Sequence, residues 1–314
     1  MLGLTTSAVP VPEERAFAAV QTAIECGCNF LNAGEHYGTP QENTQTLLAA
    51  YFTKYPKDAE KVLLSVKGAF DFQTMKPDGS PEGVKKSIDN ILGDLKGTKS
   101  IDIFECARVD PVVPLEVTLQ FLHDEYVQKG IVKGIALSEV GEATIRQAAK
   151  ITKIAAVEVE LSLWSTHIME NGVAAACAEL EIPIIAYSPV GKGMLSGQIK
   201  SLDDIPKDDF RRHYPRFAPE NFDTNLKLVD RVKELAEKRG CTSAQLAINW
   251  TRCLSKRAGM PRIIPIPGST SPSRVQENSV VFDLTEEEMA AIDRILASVV
   301  VTGGRYPDFI PIDG

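Results

Sequence analysis

The fold is decided by the stretch VKGIALSEVGEATIRQAAKITKIAAVEV, which occupies residues 132–159. It opens with the apolar run Val132–Ala136, continues through the amphipathic segment Gly141–Lys150 and closes with a second apolar run, Ala155–Val159. Apolar runs that do not alternate with polar residues are typical of parallel strands buried on both faces. The stretch therefore predicts a strand–helix–strand unit.

The same alternation extends in both directions along the chain. Further apolar runs predict strands at Leu2–Thr5, Asn29–Asn32, Val62–Val66, Ile101–Phe104, Pro183–Tyr187 and Ile263–Pro265. Amphipathic segments predict helices at Glu13–Cys26, Pro81–Leu95, Leu115–Lys129, Gly172–Leu180, Asn225–Arg239 and Ser243–Leu254, with a last one that opens at Thr285. Eight strand candidates spread evenly over 314 residues favour an α/β fold of the closed (β/α)₈ TIM-barrel type over an open doubly wound sheet.

Nothing in the composition divides the chain. It has no Pro-, Gly- or Ser-rich linker, so we expect residues 1–314 to form a single domain. The irregular stretch Ser201–Asn221 follows a predicted strand and is too long for an ordinary βα loop, so we expect it to be functional or mobile.

Charge and composition exclude several classes of partner. The chain has 34 Lys and Arg against 42 Asp and Glu, a net charge of −8, which gives no general attraction for nucleic acid or an anionic membrane. No run approaches the roughly 20 apolar residues of a membrane span, and the N-terminus lacks signal-peptide features. The six cysteines are scattered without a second pair at ligand spacing. We therefore predict a cytoplasmic protein with reduced thiols and no metal site.

Two polar residues near strand ends suit proton transfer. In a barrel the carboxyl ends of the strands face the active site, and Tyr37 and Lys67 both lie at such positions. A cation at the end of an apolar strand is costly unless it is paired. A nearby positive charge favours phenolate and so lowers the pKa of a tyrosine, which makes Tyr37 a candidate acid. The alternatives are separate structural roles, or a Schiff base on Lys67.

A phosphate-binding signal stands near the C-terminus. The strand at Ile263–Pro265 leads into a predicted helix, where the hydroxyls of Ser269 and Thr270 and the guanidinium of Arg274 converge. A helix N-terminus with hydroxyls and a guanidinium is a ready phosphate site, although an ordinary helix cap beside a surface arginine fits the same residues. The pattern Gly191-x-Gly193 fails as a Rossmann fingerprint, because the third glycine falls one place late, at Gly197.

The sequence as a whole resembles the aldo-keto reductase family. The motifs that carry the resemblance run nearly end to end: NFLNAGEHYG at 29–38, LSVKG at 64–68, IDIFECARVD at 101–110, GIALSE at 134–139, AYSPVGKG at 186–193 and PIPGST at 265–270. The resemblance implies a TIM barrel and reduction of an aldehyde to an alcohol with NADPH. It also implies that Tyr37 donates the proton, that Lys67 tunes Tyr37, and that Asn32 holds Lys67 as the third catalytic residue.

The same resemblance assigns residues to the cofactor and substrate. Ser138 and Glu158 would hold the nicotinamide carboxamide, and Tyr187 would stack on the nicotinamide ring. The remaining cofactor positions are Thr5; Ser188, Pro189, Gly191, Lys192 and Gly193 at the pyrophosphate; Gly268; Ser269, Thr270 and Arg274 at the 2′-phosphate; and Glu277 and Asn278 near the adenine. Ala107, Arg108 and Trp164 would line the substrate entrance; for Trp164 and Arg108 the alternatives are a packed aromatic side chain and a surface ion pair.

Three positions depart from the family's usual residues. Asn32 stands where the family has Asp, Ala107 where it has His, and Glu158 where it often has Gln. The sequence around each of them resembles the pyridoxal reductase branch, which reduces pyridoxal to pyridoxine. Without an Asp at position 32 we expect Lys67 to have no fixed anion there, so that its charge acts more fully on Tyr37. Pyridoxal carries a hydroxyl next to its aldehyde, and we expect this hydroxyl to replace the missing His.

Other functions remain open. The substrate is expected to be a small-molecule aldehyde, either pyridoxal or another aryl aldehyde or secondary-metabolite carbonyl. A different class is an NADPH-binding regulatory or interaction subunit with little turnover. We expect a monomer or weak oligomer. The family usually has a short hairpin and a complete first strand before the position of Leu2. We therefore expect either a misassigned or truncated start, or a barrel that lacks the hairpin and closes with the short first strand Leu2–Thr5.

Overall fold

The computed structural model describes residues 1–6, 11–71, 74, 76–307 and 310 of the chain. Over these ranges seven parallel strands form one sheet, in which each strand pairs with the next along the chain. The strands are β1 (Phe30–Gly34), β2 (Leu63–Gly68), β3 (Ile101–Cys106), β4 (Val132–Ser138), β5 (Ile154–Glu160), β6 (Ile184–Tyr187) and β7 (Ile263–Ile266). A separate two-stranded ribbon pairs Phe70–Asp71 with Lys76–Pro77.

Helices fill the connections between the strands. The α-helices are α1 (Leu2–Thr5), α2 (Glu13–Glu25), α3 (Thr44–Lys54), α4 (Pro81–Leu95), α5 (Leu115–Leu122), α6 (Glu142–Ile151), α7 (Val173–Glu179), α8 (Pro219–Arg239), α9 (Ser243–Cys253), α10 (Pro272–Asn278) and α11 (Glu286–Ser298). One π-helical turn, His123–Val127, continues α5. The 3₁₀ turns are Pro56–Asp58, His167–Met169, Gly191–Ser196, Leu202–Asp204, Phe210–His213, Pro215–Phe217 and Leu254–Lys256. None of the described helices has the length and apolarity that crossing a membrane requires.

The core has two layers, and the alternation along each strand creates them. Side chains on one face of the strands, such as Leu64 and Phe104, pack against the helices in the large hydrophobic cluster. Residues on the other face form a small inner cluster, in which Ile103, Ala136 and Ile185 meet inside the curved sheet. A packed interior of this kind is what a barrel requires, and the predicted α/β barrel architecture is confirmed.

The prediction of a first strand at Leu2–Thr5 is wrong, because this segment is the short helix α1. Its backbone bonds locally, with Leu4 N–H donating to Met1 O at 2.9 Å. The helix lies beside β1 and the segment that follows β7: the Met1 amino group donates to Asn32 O at 2.9 Å, and a Cβ at Gly3 would lie 3.3 Å from Thr270 Cγ2. A short apolar run does not by itself distinguish a strand from a helix.

Two other segments differ from the sequence-based expectation. The helix α3 was not predicted, and the side chain of Asn43 explains it: Asn43 Oδ1 accepts from Gln45 N and Thr46 N, both at 2.9 Å, in a capping box. The stretch Ser201–Asn221 is a series of 3₁₀ turns, and α8 begins within it because Pro219 occupies the first helical turn.

Gly68 at the end of β2 tests how tightly the helix layer packs. A Cβ at Gly68 would overlap Ser87 Oγ and lie 2.8 Å from Phe104 Cε2, and both neighbours are buried. We expect Gly68→Ala to lower the free energy of unfolding by about 1–3 kcal/mol in urea denaturation. Gly93→Ala is the control: Gly93 lies in α4 with open space around it, so alanine should raise stability by about 0.5–1 kcal/mol. Equal stability of Gly68→Ala and wild type would contradict this packing.

Candidate active site

Polar side chains converge inside the barrel at the carboxyl ends of four strands. Lys67 of β2 is in register with Gly34 of β1 and with Glu105 of β3. Ser138 of β4 is in register with Glu158 of β5. Side chains two residues apart on a strand point to the same face of the sheet. Ile103 and Ala156 point into the barrel, so Glu105 and Glu158, each two residues further along, point inward as well. The apolar strands thus deliver charged groups to one buried place.

Lys67 is buried and paired with two carboxyl groups. Its ammonium makes a direct ion pair with Glu158 Oε1 and lies 3.6 Å from Glu105 Oε1. The side chains of Lys67 and Glu158 are only 7% and 3% exposed, so solvent screens their attraction weakly. Burial lowers the pKa of Lys67, but the carboxyl groups of Glu105 and Glu158 outweigh it and the pKa is raised. Lys67 therefore stays charged at neutral pH.

Asn32 contacts the carboxyl groups rather than the lysine. Its Nδ2 donates to Glu158 Oε2 at 2.6 Å and to Glu105 Oε1 at 3.5 Å. Position 32 carries no charge, as expected, but the anion of Lys67 comes from Glu158 instead. The expected direct hydrogen bond from Asn32 to Lys67 is replaced by contacts from Asn32 to the two carboxyl groups. The role of Glu105 was missed, although an acidic residue within an apolar strand is a signal of a buried partner.

Tyr37 follows β1 and folds back over its last residue. Tyr37 N–H donates to Gly34 O at 2.9 Å, and a Cβ at Gly34 would lie 2.9 Å from two atoms of the Tyr37 ring, so only glycine fits there. Thr5 Oγ1 donates to Tyr37 O at 2.8 Å, which places Thr5 against the backbone of this turn. Burial raises the pKa of Tyr37, and the positive charge of Lys67 opposes that rise without reversing it. Lys67 thus acts on the pKa of Tyr37 in the predicted direction, while burial, which the sequence does not show, has the larger effect.

The neighbouring strand ends offer polar groups for a ligand. Ser138 is 2% exposed, and its Oγ has no hydrogen-bond partner among the residues that the structure describes. A buried hydroxyl without a partner is costly and fits a site that is completed by a ligand's donor or acceptor. Tyr187 Oη donates to Glu139 Oε1 at 2.8 Å and lies 2.5 Å from the hydroxyl of Tyr306.

A second group of buried charges lies near the ends of β4 and β5, at the edge of the barrel where the strands end. Arg305 donates to Glu139 Oε2 at 2.9 Å and to Glu160 Oε2 at 3.3 Å, and Lys192 Nζ lies 2.7 Å from Glu160 Oε1. Burial raises the pKa of Glu139, but the charge and hydrogen bond of Arg305 outweigh this effect and keep the pKa low. Sequence reasoning missed Arg305 and Tyr306, because the segment around them carries no local motif. Lys192, predicted at the pyrophosphate, points to Glu160 in this structure.

The predicted phosphate residues gather beyond β7. Arg274 of α10 hydrogen-bonds Gln198 Oε1 and lies 3.7 Å from Glu277 Oε2. Gln198 follows the turn Gly191–Ser196, where Lys192 and Gly193 have φ values of 54° and 96°. The structure therefore brings the two predicted phosphate segments together. The other predicted residues of this group are Ser188, Pro189 and Gly191 at the start of the turn, Gly268, Ser269 and Thr270 after β7, and Asn278 at the end of α10.

The predicted substrate residues occupy different environments. Ala107 directly follows β3 and is 4% exposed, with its N–H donating to Gly68 O at 2.9 Å. Arg108 Cζ lies 5.8 Å from the centre of the Tyr306 ring. Trp164 is 2% exposed, and its ring packs edge-on against Phe217 at 5.4 Å between centroids. Substrate contact stays a prediction for all three.

Comparison with known proteins gives a family match over most of the chain. The family model of the aldo/keto reductases matches residues 1–297. A protein of Schizosaccharomyces pombe named "Probable pyridoxal reductase 2" is 40% identical, over 98% of this chain and 92% of its own length. A protein of Saccharomyces cerevisiae named "Putative pyridoxal reductase" is 39% identical, over 98% of this chain and 94% of its own length.

Solved structures share the fold. A glycerol dehydrogenase from Gluconobacter oxydans superposes with a TM-score of 0.78 at 21% identity, covering 93% of this chain and 88% of its own. A thermostable aldo-keto reductase, solved with the inhibitor epalrestat, gives a TM-score of 0.69 at 20% identity, covering 93% and 92%. Together with the family match over nearly the whole chain, these findings show that the chain belongs to the aldo/keto reductase family.

Proposed function

We propose that the chain is an NADPH-dependent reductase that converts an aldehyde to an alcohol, with pyridoxal as its main substrate. The observation that carries the proposal is the buried, ion-paired Lys67, whose positive charge reaches the half-buried Tyr37 in the turn after β1. A phenol held beside a fixed cation suits the delivery of a proton to a carbonyl oxygen. The family membership supports the reaction type, because aldo-keto reductases generally use NAD(P)H.

The chain's own residues fit such a cofactor. When bound, NADPH supplies a hydride to the carbonyl carbon. The Oγ of Ser138, which has no hydrogen-bond partner within the described part of the chain, is available to the carboxamide, and Tyr187 offers its ring at the end of β6. Ser269, Thr270 and Arg274 would hold the 2′-phosphate. Arg274 would give up its hydrogen bond to Gln198 and make a charge-assisted hydrogen bond to the phosphate instead. That exchange is the basis for proposing NADPH rather than NADH.

Tyr37 would act as the acid. Burial raises its pKa, so the phenol keeps its proton at neutral pH. As the carbonyl oxygen gains negative charge, Tyr37 Oη would pass that proton to it, and the ammonium of Lys67 would stabilise the phenolate that remains. Acid catalysis of this kind is worth about 10²–10⁴-fold in rate.

The proposal of pyridoxal rests on two points. The relatives at 40% and 39% identity bear the names of probable and putative pyridoxal reductases. Ala107 also leaves the carbonyl oxygen without a side-chain donor at that position, and the hydroxyl beside the aldehyde of pyridoxal supplies an internal hydrogen bond instead. Other aryl aldehydes are the second candidate, favoured if an adjacent hydroxyl proves unnecessary.

The role of Tyr37 is tested by Tyr37→Phe. We expect kcat for NADPH oxidation with pyridoxal to fall by about 10²–10⁴-fold, because the phenol proton is lost, while NADPH binding measured by fluorescence is unchanged. Tyr55→Phe, which removes a hydroxyl at the end of α3, should keep full activity. Reduction that survives in Tyr37→Phe would contradict the assignment of the acid. If the wild-type protein binds NADPH but does not oxidise it when any of the aldehydes is added, the alternative of a regulatory subunit is favoured.

The cofactor preference is tested by Arg274→Ala. We expect the Kd for NADPH to rise by about 10–100-fold, in line with a lost charge-assisted hydrogen bond of roughly 1.5–3 kcal/mol, while the Kd for NADH stays the same. Arg231→Ala is the control, because Arg231 pairs only locally with Glu234 on the surface of α8. An equal loss for NADH and NADPH would contradict a contact with the 2′-phosphate.

A further inference from the structure

The cluster around Lys67 contains two carboxyl groups, although one carboxylate is enough to balance the charge of the Lys67 ammonium. Lys67, Glu105, Glu158 and Asn32 are each less than 10% exposed, and they contact one another inside the barrel. One ammonium balances one carboxylate. A second ionised carboxylate, buried and uncompensated, would be strongly destabilising. The composition of the cluster therefore calls for one of the two glutamates to be neutral.

The contacts distinguish the two glutamates. Both oxygens of Glu158 are engaged, Oε1 by Lys67 and Oε2 by Asn32 at 2.6 Å. Glu105 Oε1 makes long contacts, at 3.5 Å to Asn32 Nδ2 and 3.6 Å to Lys67 Nζ. Its Oε2 is buried without a hydrogen-bond partner among the described residues. Glu158 thus has the partners of an anion, and Glu105 has those of a neutral acid.

The electrostatics agree with this division. Burial raises the pKa of Glu105 strongly, and the charge of Glu158 raises it further. The other titratable groups that face the cluster are Tyr37, the Met1 amino group, whose pKa burial lowers to about 6, and His36, whose pKa burial lowers to about 3. All three are neutral at pH 7. Arg108 and the ring of Tyr187 lie at the mouth, with the ring 5.8 Å from Lys67 Nζ.

We propose that Glu105 and Glu158 carry a single negative charge between them, with the proton on Glu105, and that this shared charge positions Lys67 beside Tyr37. Asn32 takes part by donating to both carboxyl groups from one amide. The two glutamates are positioning residues, since they act on the substrate only through Lys67. The catalytic consequence rests on the proposed function, whereas the charge arrangement does not.

Sharing makes the two glutamates partly interchangeable. Glu105→Gln removes a neutral acid and leaves the ion pair with Glu158. In Glu158→Gln the negative neighbour is gone, so Glu105 ionises and takes over the pairing with Lys67. The double variant leaves Lys67 without an anion, and an unpaired buried ammonium loses its proton. Adding Asn32→Asp to the double variant restores one carboxylate next to Lys67.

Infrared difference spectroscopy of the free protein at pH 7 tests the charge arrangement without cofactor or substrate. The wild type should show the carbonyl stretch of a buried, protonated carboxylic acid, shifted in D₂O. We expect this band to vanish both in Glu105→Gln and in Glu158→Gln, and to persist in the control Glu170→Gln, which changes an exposed side chain. No band in the wild type, or a band that survives in Glu158→Gln, would overturn the shared charge whether or not the protein reduces aldehydes.

Pyridoxal reduction by the same variants tests the positioning role. We expect each single glutamine variant to keep kcat within about tenfold of wild type and the double variant to lose at least about 10²-fold, because the acid then lacks its cation. The triple variant Asn32→Asp, Glu105→Gln, Glu158→Gln should recover most of that loss. A double variant as fast as wild type, or a folded triple variant as slow as the double, would overturn the positioning role.

Discussion

The ammonium of Lys67 is buried inside the barrel, and the arrangement of the active site follows from that fact. An unpaired cation there would be unstable, so neighbouring strands must bring acidic or amide side chains to the same height. Asn32, Glu105 and Glu158 meet this need from β1, β3 and β5. A slip of one residue in any of these strands would turn its polar group to the outer face. The charge cluster therefore links the register of the sheet to the chemistry of the site.

A second set of buried charges shapes the mouth. Glu139 and Glu160 lie at or just beyond the ends of β4 and β5, and both accept from Arg305 near the C-terminus. Lys192 joins them from the turn after β6. These ion pairs hold two distant segments against the same two strand ends. The shape of the entrance thus depends on paired charges, while the interior of the barrel depends on apolar packing.

Much of the fold was predictable, because continuous apolar runs identify buried parallel strands wherever they occur. The helix α3 escaped prediction because its start depends on the side chain of Asn43, and Leu2–Thr5 was assigned wrongly because a run of that length fits either structure. The positions of Tyr37 and Lys67 were also predictable. The partners of Lys67 were not, since Glu105 depends on the register between β2 and β3, and Glu158 on β5 comes close to Lys67 only after the sheet has curved.

Glu158 offers the most direct test of the whole account. Family resemblance assigns it to the nicotinamide carboxamide, whereas in this structure it pairs with Lys67 and with Asn32. A crystal structure of the protein with NADPH bound would decide between the two roles. We expect Glu158 to stay on Lys67 and Ser138 Oγ to bind the carboxamide. A structure in which Glu158 leaves Lys67 for the cofactor amide would contradict it.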